Sequence, residues 1–373
     1  MDPNVLRLAM GAAGAGEKQY KIWSFGYSFF GRLGLGDNTS RSSPTQIGSL
    51  TTWLDIAAGY GHGMAIKNDN TLWVWGRNTL GQLGLGDTTN RSSPVQVGAL
   101  TNWLNTAGGY GHTLAVKTDG TLWAWGRNSS GQLGRSNTVN TSSPVQVGSL
   151  TNWLKVTAGY YSSFAIKTDG TLWVWGENNF GQLGIGDTLD KSSPVQIGSA
   201  TDWASVSSGY RSVLAIKTNG TLWAWGRNNN GQLGLDDTTD YSSPVQVGTL
   251  TNWSKVSSGW FHTGSVKTDG TLWTWGRNAV GQLGQSPQNL YNIDRSSPVQ
   301  VGSLTNWSNL SFGQYHSLCI KTDDTIWSFG MNDLGQLGLG DTTDRSSPVQ
   351  IGALTNWYKV SAGSNFSLAM TED

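Results

Sequence analysis

The sequence predicts an all-β protein, a seven-bladed β-propeller with four strands in each blade. Three markers support this fold, and each occurs seven times at steps of 50 or 54 residues. The first marker is the tripeptide SSP, which ends at Pro44, Pro94, Pro144, Pro194, Pro244, Pro298 and Pro348. The second is a WG or FG pair with its glycine at Gly26, Gly76, Gly126, Gly176, Gly226, Gly276 and Gly330. The third is the Trp of LTNW or a variant of it, at Trp53, Trp103, Trp153, Trp203, Trp253, Trp307 and Trp357. Several short strands in a repeat of this length are typical of propeller blades.

Each repeat contains four strand candidates. SFAIK (163–167) and TLWVW (171–175) flank TDG, and Asp-Gly between two such runs is a strong hairpin signal. PVQVG predicts a short third strand, and WLKVTAG predicts a fourth. Between them lies a long connection, GQLGLGDTT followed by SSP, which is rich in turn residues. No segment has the 3.6-residue period of an amphipathic helix.

The two ends of the chain predict how the ring closes. FSLAMTED (366–373) matches the first strand of the hairpin, and QYKIWSFG (19–26) matches its second strand. Neither end completes a blade alone. We therefore expect strands from both ends to share the last blade, which would hide both sheet edges.

Composition narrows the function classes. The 373 residues include 24 Lys and Arg against 24 Asp and Glu, and this zero net charge argues against nucleic acid as the main partner. A single cysteine, Cys319, excludes an internal disulfide framework and a CxxC metal site. No apolar run approaches the roughly 20 residues of a membrane span. The start, MDPNVLRLAM, is a poor secretion signal because Arg7 interrupts its apolar stretch.

Features that recur in every blade are most simply explained by the fold. Nineteen of the 20 Trp occupy repeated slots, and the two rings of each WxW share one sheet face, so we expect them to pack between blades. GQLGLG is not the order of a phosphate-binding loop, and its glycines suit tight turns. The aspartate of GDTT is expected to form an Asx-turn.

No catalytic or metal-binding constellation emerges from the sequence. His62, His112, His262 and His316 each stand three residues after a repeated glycine, without the fixed spacing of a metal site. We expect each to make a hydrogen bond that fixes the start of the next strand. The sequence thus predicts a protein that is not an enzyme, with no cofactor and no metal.

The motifs resemble those of a known family. The GxxH-[ST]-x-A-[IV]-K strand, the WG-x-N-xx-GQLG-x-G run and the period of about 50 residues are together similar to the regulator of chromosome condensation repeat family. The similarity covers roughly residues 17–373. It implies a seven-bladed propeller closed by both chain ends, and it implies a binding platform, since members of the family are mostly binders.

The resemblance also points to one face of the propeller. In a plant photoreceptor of this family, the tripeptides that match Tyr60-Gly61-His62 lie on the surface that meets a partner. The equivalent residues vary here between blades while their surroundings do not. They are Tyr60, Tyr110, Tyr160, Tyr161, Tyr210, Arg211, Trp260, Phe261, Gln314, Tyr315, Ser364 and Asn365. Two interpretations remain open: these residues form a binding face, or their aromatic rings only plug the central channel.

Residues 1–16 lie outside the repeat and predict a docking tail. Val5, Leu6, Leu8 and Met10 are apolar, and a flexible Gly/Ala run follows them. The segment resembles the short Ala/Gly-rich starts of structural proteins of marine bacteriophages.

The leading hypothesis is a non-catalytic virion component. It would dock on a virion protein through residues 1–16 and present the variable face to a host-surface protein or a glycan. The alternatives are a soluble cytoplasmic adaptor or inhibitor propeller, and a glycan-binding propeller.

Overall fold

A computed structural model describes residues 18–285 and 293–373 of the chain. In chain order its strands are β1 (Tyr20–Gly26), β2 (Arg41–Gln46), β3 (Trp53–Ala58), β4 (His62–Lys67), β5 (Leu72–Gly76), β6 (Arg91–Gln96), β7 (Trp103–Gly108), β8 (His112–Lys117), β9 (Leu122–Gly126), β10 (Thr141–Gln146), β11 (Trp153–Ala158), β12 (Ser162–Lys167), β13 (Leu172–Gly176), β14 (Lys191–Gln196), β15 (Trp203–Ser208), β16 (Ser212–Lys217), β17 (Leu222–Gly226), β18 (Tyr241–Gln246), β19 (Trp253–Ser258), β20 (His262–Lys267), β21 (Leu272–Gly276), β22 (Arg295–Gln300), β23 (Trp307–Phe312), β24 (His316–Lys321), β25 (Ile326–Gly330), β26 (Arg345–Gln350), β27 (Trp357–Ala362) and β28 (Phe366–Glu372). A short 3₁₀ helix, Phe29–Gly31, follows β1.

The strands form seven four-stranded antiparallel sheets, as the sequence predicts. Blades 1 to 6 each contain four consecutive strands, from β3–β6 in blade 1 to β23–β26 in blade 6. Blade 7 has the order β2-β1-β28-β27, so both chain ends share it. In this blade β1 pairs with β28 from Tyr20 opposite Glu372 to Gly26 opposite Phe366. The predicted closure of the ring is confirmed.

The first strand of each blade lies at the centre of the ring. Neighbouring first strands, such as β3 and β7, contact each other, and β27 contacts β3 to complete the circle. Because adjacent strands are antiparallel, the loop after the first strand and the loop after the third strand lie on the same side. We call this side the upper face.

The outer strand differs from the sequence prediction. SSP, expected in a connection, lies inside the fourth strand, as in Arg91–Gln96. Its pairing with the third strand is interrupted by a register shift between Val74 and Gly76. An edge strand with an irregular ladder tolerates Pro94 because the missing N–H is not needed for pairing there.

The hydrophobic core is divided among the spaces between neighbouring blades. One cluster joins Leu114 and Leu122 of blade 2 to Trp153, Val156 and Trp175 of blade 3. The second Trp of each WxW, as in Trp175, is fully buried, whereas the first, as in Trp173, is half-buried. The expected packing of these rings between blades is therefore observed.

A single carbonyl group organises each seam between blades. Gln132 O, in the GQLG loop of blade 2, accepts hydrogen bonds from Trp175 Nε1 at 2.9 Å and from Ser163 Oγ at 2.7 Å, both in blade 3. Gln82 O accepts the same pair of bonds from Trp125 and Thr113. The loop of one blade thus fixes two side chains of the next.

The four histidines extend this network across the seam. His112 Nε2 lies 3.1 Å from Ser163 Oγ, and the bonds of His62, His262 and His316 to Thr113, Ser317 and Ser367 are equivalent. Since Ser163 Oγ–H donates to Gln132 O, the histidine Nε2–H donates to Ser163 Oγ. The histidines therefore bind the neighbouring blade, not the start of their own next strand.

Burial makes these histidines sensitive to acid. It lowers the pKa of all four to about 3. In the unfolded chain they titrate near their usual pKa of about 6.5. Because the folded pKa lies below the unfolded pKa, the contribution to stability is complete above pH 6.5 and falls as the pH drops towards 3.

We predict that each histidine accounts for about 2 kcal/mol of the loss in unfolding free energy between pH 7 and pH 5. His112→Phe, with the ring type that Phe366 provides at the same slot in blade 7, should reduce this pH-dependent loss by about that amount. Urea unfolding of both proteins at the two pH values measures the difference. An unchanged loss in the variant would contradict the assignment.

Three seams lack the histidine bond. The histidine slot holds Ser162 in blade 3, Ser212 in blade 4 and Phe366 in blade 7. Ser212 Oγ is buried without a hydrogen-bond partner among the described residues. The residue of the next blade opposite Ser212 is Thr263. The Thr263 hydroxyl donates its hydrogen to Gln232 O at 2.9 Å, so its oxygen can still accept a hydrogen bond. Ser162 instead faces the slot of Val213, which has no acceptor.

We therefore predict that Ser212→His stabilises the fold by about 1 kcal/mol, since the new Nε2–H can donate to Thr263 Oγ1. Ser162→His adds the same atoms opposite Val213 and should be less stable than Ser212→His by at least about 1 kcal/mol. Chemical denaturation of both variants gives the comparison. Equal effects would show that the hydrogen bond is not what stabilises the seam.

Candidate binding face

The predicted face residues lie in the loops between the first and second strands of the blades. The first loop position after the conserved glycine is Tyr60, Tyr110, Tyr160, Tyr210, Trp260, Gln314 or Ser364, in blades 1 to 7. The second position is Gly61, Gly111, Tyr161, Arg211, Phe261, Tyr315 or Asn365. The structure gives the two positions different surroundings.

Backbone hydrogen bonds hold the first positions in a ring around the axis. Tyr60 N donates to Gly109 O at 3.0 Å, Gln314 N donates to Ser364 O at 3.1 Å, and Ser364 N donates to Tyr60 O at 3.4 Å. The glycine before each tyrosine allows this approach, since a Cβ on Gly109 would overlap the His112 ring and Gly159 O. The loops are therefore fixed relative to one another.

Five aromatic side chains from the first positions meet over the axis. We call Tyr60, Tyr110, Tyr160, Tyr210 and Trp260 the aromatic cluster. The ring centroids of Tyr110 and Tyr160 are 4.5 Å apart. Trp260 stacks on Tyr60 at 5.5 Å and on Tyr210 at 5.3 Å, and it meets Tyr160 edge-on at 5.2 Å. The ring of aromatics is incomplete in blades 6 and 7, where Gln314 and Ser364 stand.

The aromatic cluster covers one end of the central channel. The cavity below it has a volume of about 290 Å³ and is lined by small residues of the inner strands, among them Ser207, Ser257 and Ser311. Burial raises the pKa of Tyr60 and of Tyr160, so both phenols are uncharged at neutral pH. The geometry of the first positions is thus that of a plug.

The second positions lie around the cluster and contact the arginines that follow the WG pair. Arg127 Nη1 donates to Tyr161 Oη at 3.1 Å. In blade 3 this arginine is replaced by Glu177, which Arg211 binds through two hydrogen bonds of 3.0 and 3.1 Å. Both side chains of this ion pair are largely buried, so it helps to fix the local structure of the face.

An open groove runs along the upper face at blades 4 and 5. It has a volume of about 650 Å³, and Tyr210, Trp260, Phe261 and Tyr315 form its aromatic lining. Arg227 and Arg277 also line it, with Asn229, Asn230 and Asp294. Among the described residues, neither arginine has a carboxylate within ion-pair distance. Trp, Tyr and Arg, which all line this groove, are the residue types most enriched at binding hot spots.

Tail residues Val5, Leu6, Leu8 and Met10 lie outside the described residues. The docking role of residues 1–16 therefore stays a prediction.

The buried histidine–serine pairs do not form an accessible catalytic site. His112 and Ser163 have the contact of a base and a nucleophile, but both are fully buried, and the serine proton is directed to Gln132 O. Within residues 18–285 and 293–373, no three His, Cys, Asp or Glu side chains are grouped so that they could hold a metal ion. None of these residues belongs to a helix with the length and apolar character of a membrane span.

The arginines of the upper face were not among the predicted site residues. Arg77, Arg127, Arg227 and Arg277 occupy a repeated slot, and repetition suggested a purely structural role. Arg32 was missed as well, although the loop after β1 reads GRLG where the other six blades have GQLG. The signal that could have identified Arg32 is the replacement of a neutral glutamine by a charged arginine in a loop that is otherwise constant.

Comparison with protein families identifies the repeats. A model described as the RCC1-like domain matches residues 105–305, which is more than half of the chain. The regulator of chromosome condensation (RCC1) repeat matches residues 21–66, 69–116 and 323–370, and a second model of this repeat matches residues 53–82 and 307–336. No curated protein matches the sequence.

Solved structures share the fold at low sequence identity. Human WBSCR16 is 21% identical with a TM-score of 0.84, and the match covers 96% of this chain and 99% of that one. Yeast RCC1 (Prp20) bound to Kap60 is 19% identical with a TM-score of 0.86, over 98% and 94% of the two chains. Prp20p from Saccharomyces cerevisiae, studied for its binding to Gsp1p and histones, is 20% identical with a TM-score of 0.85, over 100% and 95%.

Proposed function

Because this chain belongs to the RCC1-like repeat family, we propose that it is a non-catalytic propeller that binds a protein partner through its upper face. The observation that carries the proposal is the groove at blades 4 and 5, an open surface lined by aromatic rings and by two arginines that have no ion-pair partner among the described residues. The yeast family member Prp20 binds other proteins, which supports a binding role for this fold.

The variation between blades supports the same face. The loops that carry Phe261 and Tyr315 sit on a backbone that repeats nearly unchanged, so the side chains there differ between blades while the backbone of the face does not. A rigid frame also lowers the entropic cost of ordering the binding residues when a partner docks. Half-buried aromatic and arginine side chains on such a frame suit a protein interface.

A glycan is less well suited to this surface. Sugar binding by stacking needs a free aromatic face, but Tyr60 and Tyr210 both stack on Trp260, and Phe261 stacks on Tyr315 at 5.9 Å. The aromatic rings contact one another more than they present open planes. We therefore place a protein partner ahead of a glycan.

We predict that Tyr315→Ala and Arg277→Ala each weaken partner binding at least 30-fold, the effect of losing a hot-spot residue. The control is Leu150→Ala, which truncates a side chain exposed in a loop on the opposite face. Affinity capture from the source organism, followed by quantitative binding of the recovered protein, compares the three variants. Equal loss in all three, or signal only on a glycan array, would argue against the proposal.

We further propose that the chain is a virion component that docks through residues 1–16. Its support is the zero net charge, the near identity of the blades and the Ala/Gly-rich start. A soluble adaptor or inhibitor is the alternative.

Light scattering after size exclusion should give a defined oligomer for the full chain and a monomer for a chain that starts at Glu17. If both are monomers, the tail does not mediate self-assembly, and the soluble adaptor becomes the better interpretation.

A further inference from the structure

One loop of the upper face departs from the repeat in a way that the fold does not require. The loop after the third strand contains Gln in six blades, namely Gln82, Gln132, Gln182, Gln232, Gln282 and Gln336. In blade 7 the same slot is Arg32, and its side chain is only 4% exposed. A buried cation thus stands where the other blades have a neutral amide.

Arg32 cannot perform the structural task of the glutamine. Gln82 Oε1 accepts a hydrogen bond from Leu80 N at 2.9 Å, and the other five glutamines accept the equivalent bond. A guanidinium has no acceptor. Phe30, the counterpart of Leu80, instead adopts φ 68° and ψ 14°, a left-handed conformation that bulky residues rarely take. The loop is therefore strained where its glutamine is missing.

The positive charge of Arg32 is not compensated by the described residues. Nε donates to Phe29 O at 2.9 Å, and Nη1 lies 3.4 Å from Ser364 Oγ. Its Cζ lies 4.9 Å from the centre of the Tyr27 ring. No described carboxylate lies within ion-pair distance of it. A buried charge without a counter-charge is strongly unfavourable, which indicates that an anion compensates it in the functional state.

The side chain of Arg77 lies on the other side of Gly61 from Arg32. Gly61 separates the two side chains: a Cβ at this position would lie 3.7 Å from Arg32 Nη2 and 3.7 Å from Arg77 Cδ. Arg77 already donates to Thr79 and to Tyr110 Oη, so it is held in place and has N–H groups left to donate. Ser364 adds a hydroxyl, and it stands in the slot where the neighbouring blade has Tyr60. Arg32 and Ser364 thus meet in blade 7, where the aromatic cluster has its gap, and the stem of the Arg77 side chain lies across Gly61 from Arg32.

We propose that Arg32 and Ser364 form a binding site for a carboxylate group, beside the side chain of Arg77. Within the described part of the chain, Arg32 Nη2 and one hydrogen of Nη1 have no acceptor, and these two donors match the two oxygens of one carboxylate. A single negative charge also balances the buried guanidinium, whereas a phosphate dianion would need more donors than this site offers. The carboxylate comes either from an acidic side chain of a partner on the upper face or from a free carboxylic acid. The site does not depend on the proposed protein partner, since a free acid would also occupy it.

Thermal unfolding of the full chain tests the site. Sodium acetate is compared with sodium chloride at equal ionic strength. Acetate at about 100 times its Kd should raise the Tm of the wild-type protein by about 3 °C. Arg32→Gln restores the residue of the other six blades, so it should fold, melt higher than the wild type in chloride and respond to acetate by less than about 1 °C. Arg91→Gln removes a cation from the outer strand, where Arg91 pairs with Asp87, and should keep the full acetate response.

Two further ligands separate the sources of the carboxylate. A hexaglutamate peptide that binds at least tenfold more tightly than acetate, counted per carboxylate, indicates the side chain of a protein partner. Equal affinities indicate a free acid. The proposal fails if acetate does not stabilise the wild-type protein, if Arg32→Gln responds equally, or if inorganic phosphate is strongly preferred to acetate. None of these results depends on whether the groove at blades 4 and 5 binds a protein.

Discussion

The carbonyl group of the GQLG loop is the contact on which the propeller depends. At every seam it accepts a hydrogen bond from the next blade. Three seams have both an indole N–H and a hydroxyl donor, as Gln132 O has from Trp175 and Ser163, two have only the indole and two only the hydroxyl. Buried carbonyl groups must be paired, so this one bond pattern sets the distance and the angle between two blades. A ring of seven blades closes only if each seam has nearly the same geometry. This requirement explains why the Trp, Ser/Thr and Gln slots repeat while the loop tips do not.

The same constraint separates the structural from the variable residues. The side chains of the seam are buried, and most of their polar atoms are bonded across it, so a substitution there leaves an unpaired group in the interior. Positions one and two residues before the histidine slot, such as Trp260 and Phe261, emerge from the ring at its upper mouth. Substitutions there change the surface without changing the seam. The variable residues therefore collect on one face as a consequence of how the ring is built.

Much of the fold could be predicted from the sequence. One repeat corresponds to one blade, and the incomplete repeats at the two chain ends predict how the ring closes. The outer strand could not, because SSP reads as a turn, and only the irregular ladder of an edge strand accommodates Pro94. The candidate site was predicted in part. The sequence located the residues from Tyr60 to Asn365 on one face but left plug and face as alternatives. The choice depends on how far each side chain lies from the axis, and the structure places Tyr110 over the channel and Tyr315 in the groove.

Substitutions that depart from the repeat differ in how much they destabilise the folded state. Ser212 at the histidine slot removes a hydrogen bond, but the small side chain leaves little strain behind. Arg32 is different, because the accepted bond is lost, Phe30 in the same loop has a left-handed conformation, and a cation is buried near the side chain of Arg77. Six other blades show that glutamine avoids all three costs in the same loop. Local conflict of this kind, at a position where the fold has an available solution, is expected at functional sites. In a protein built from nearly identical units, the units themselves supply the reference against which such a site is recognised.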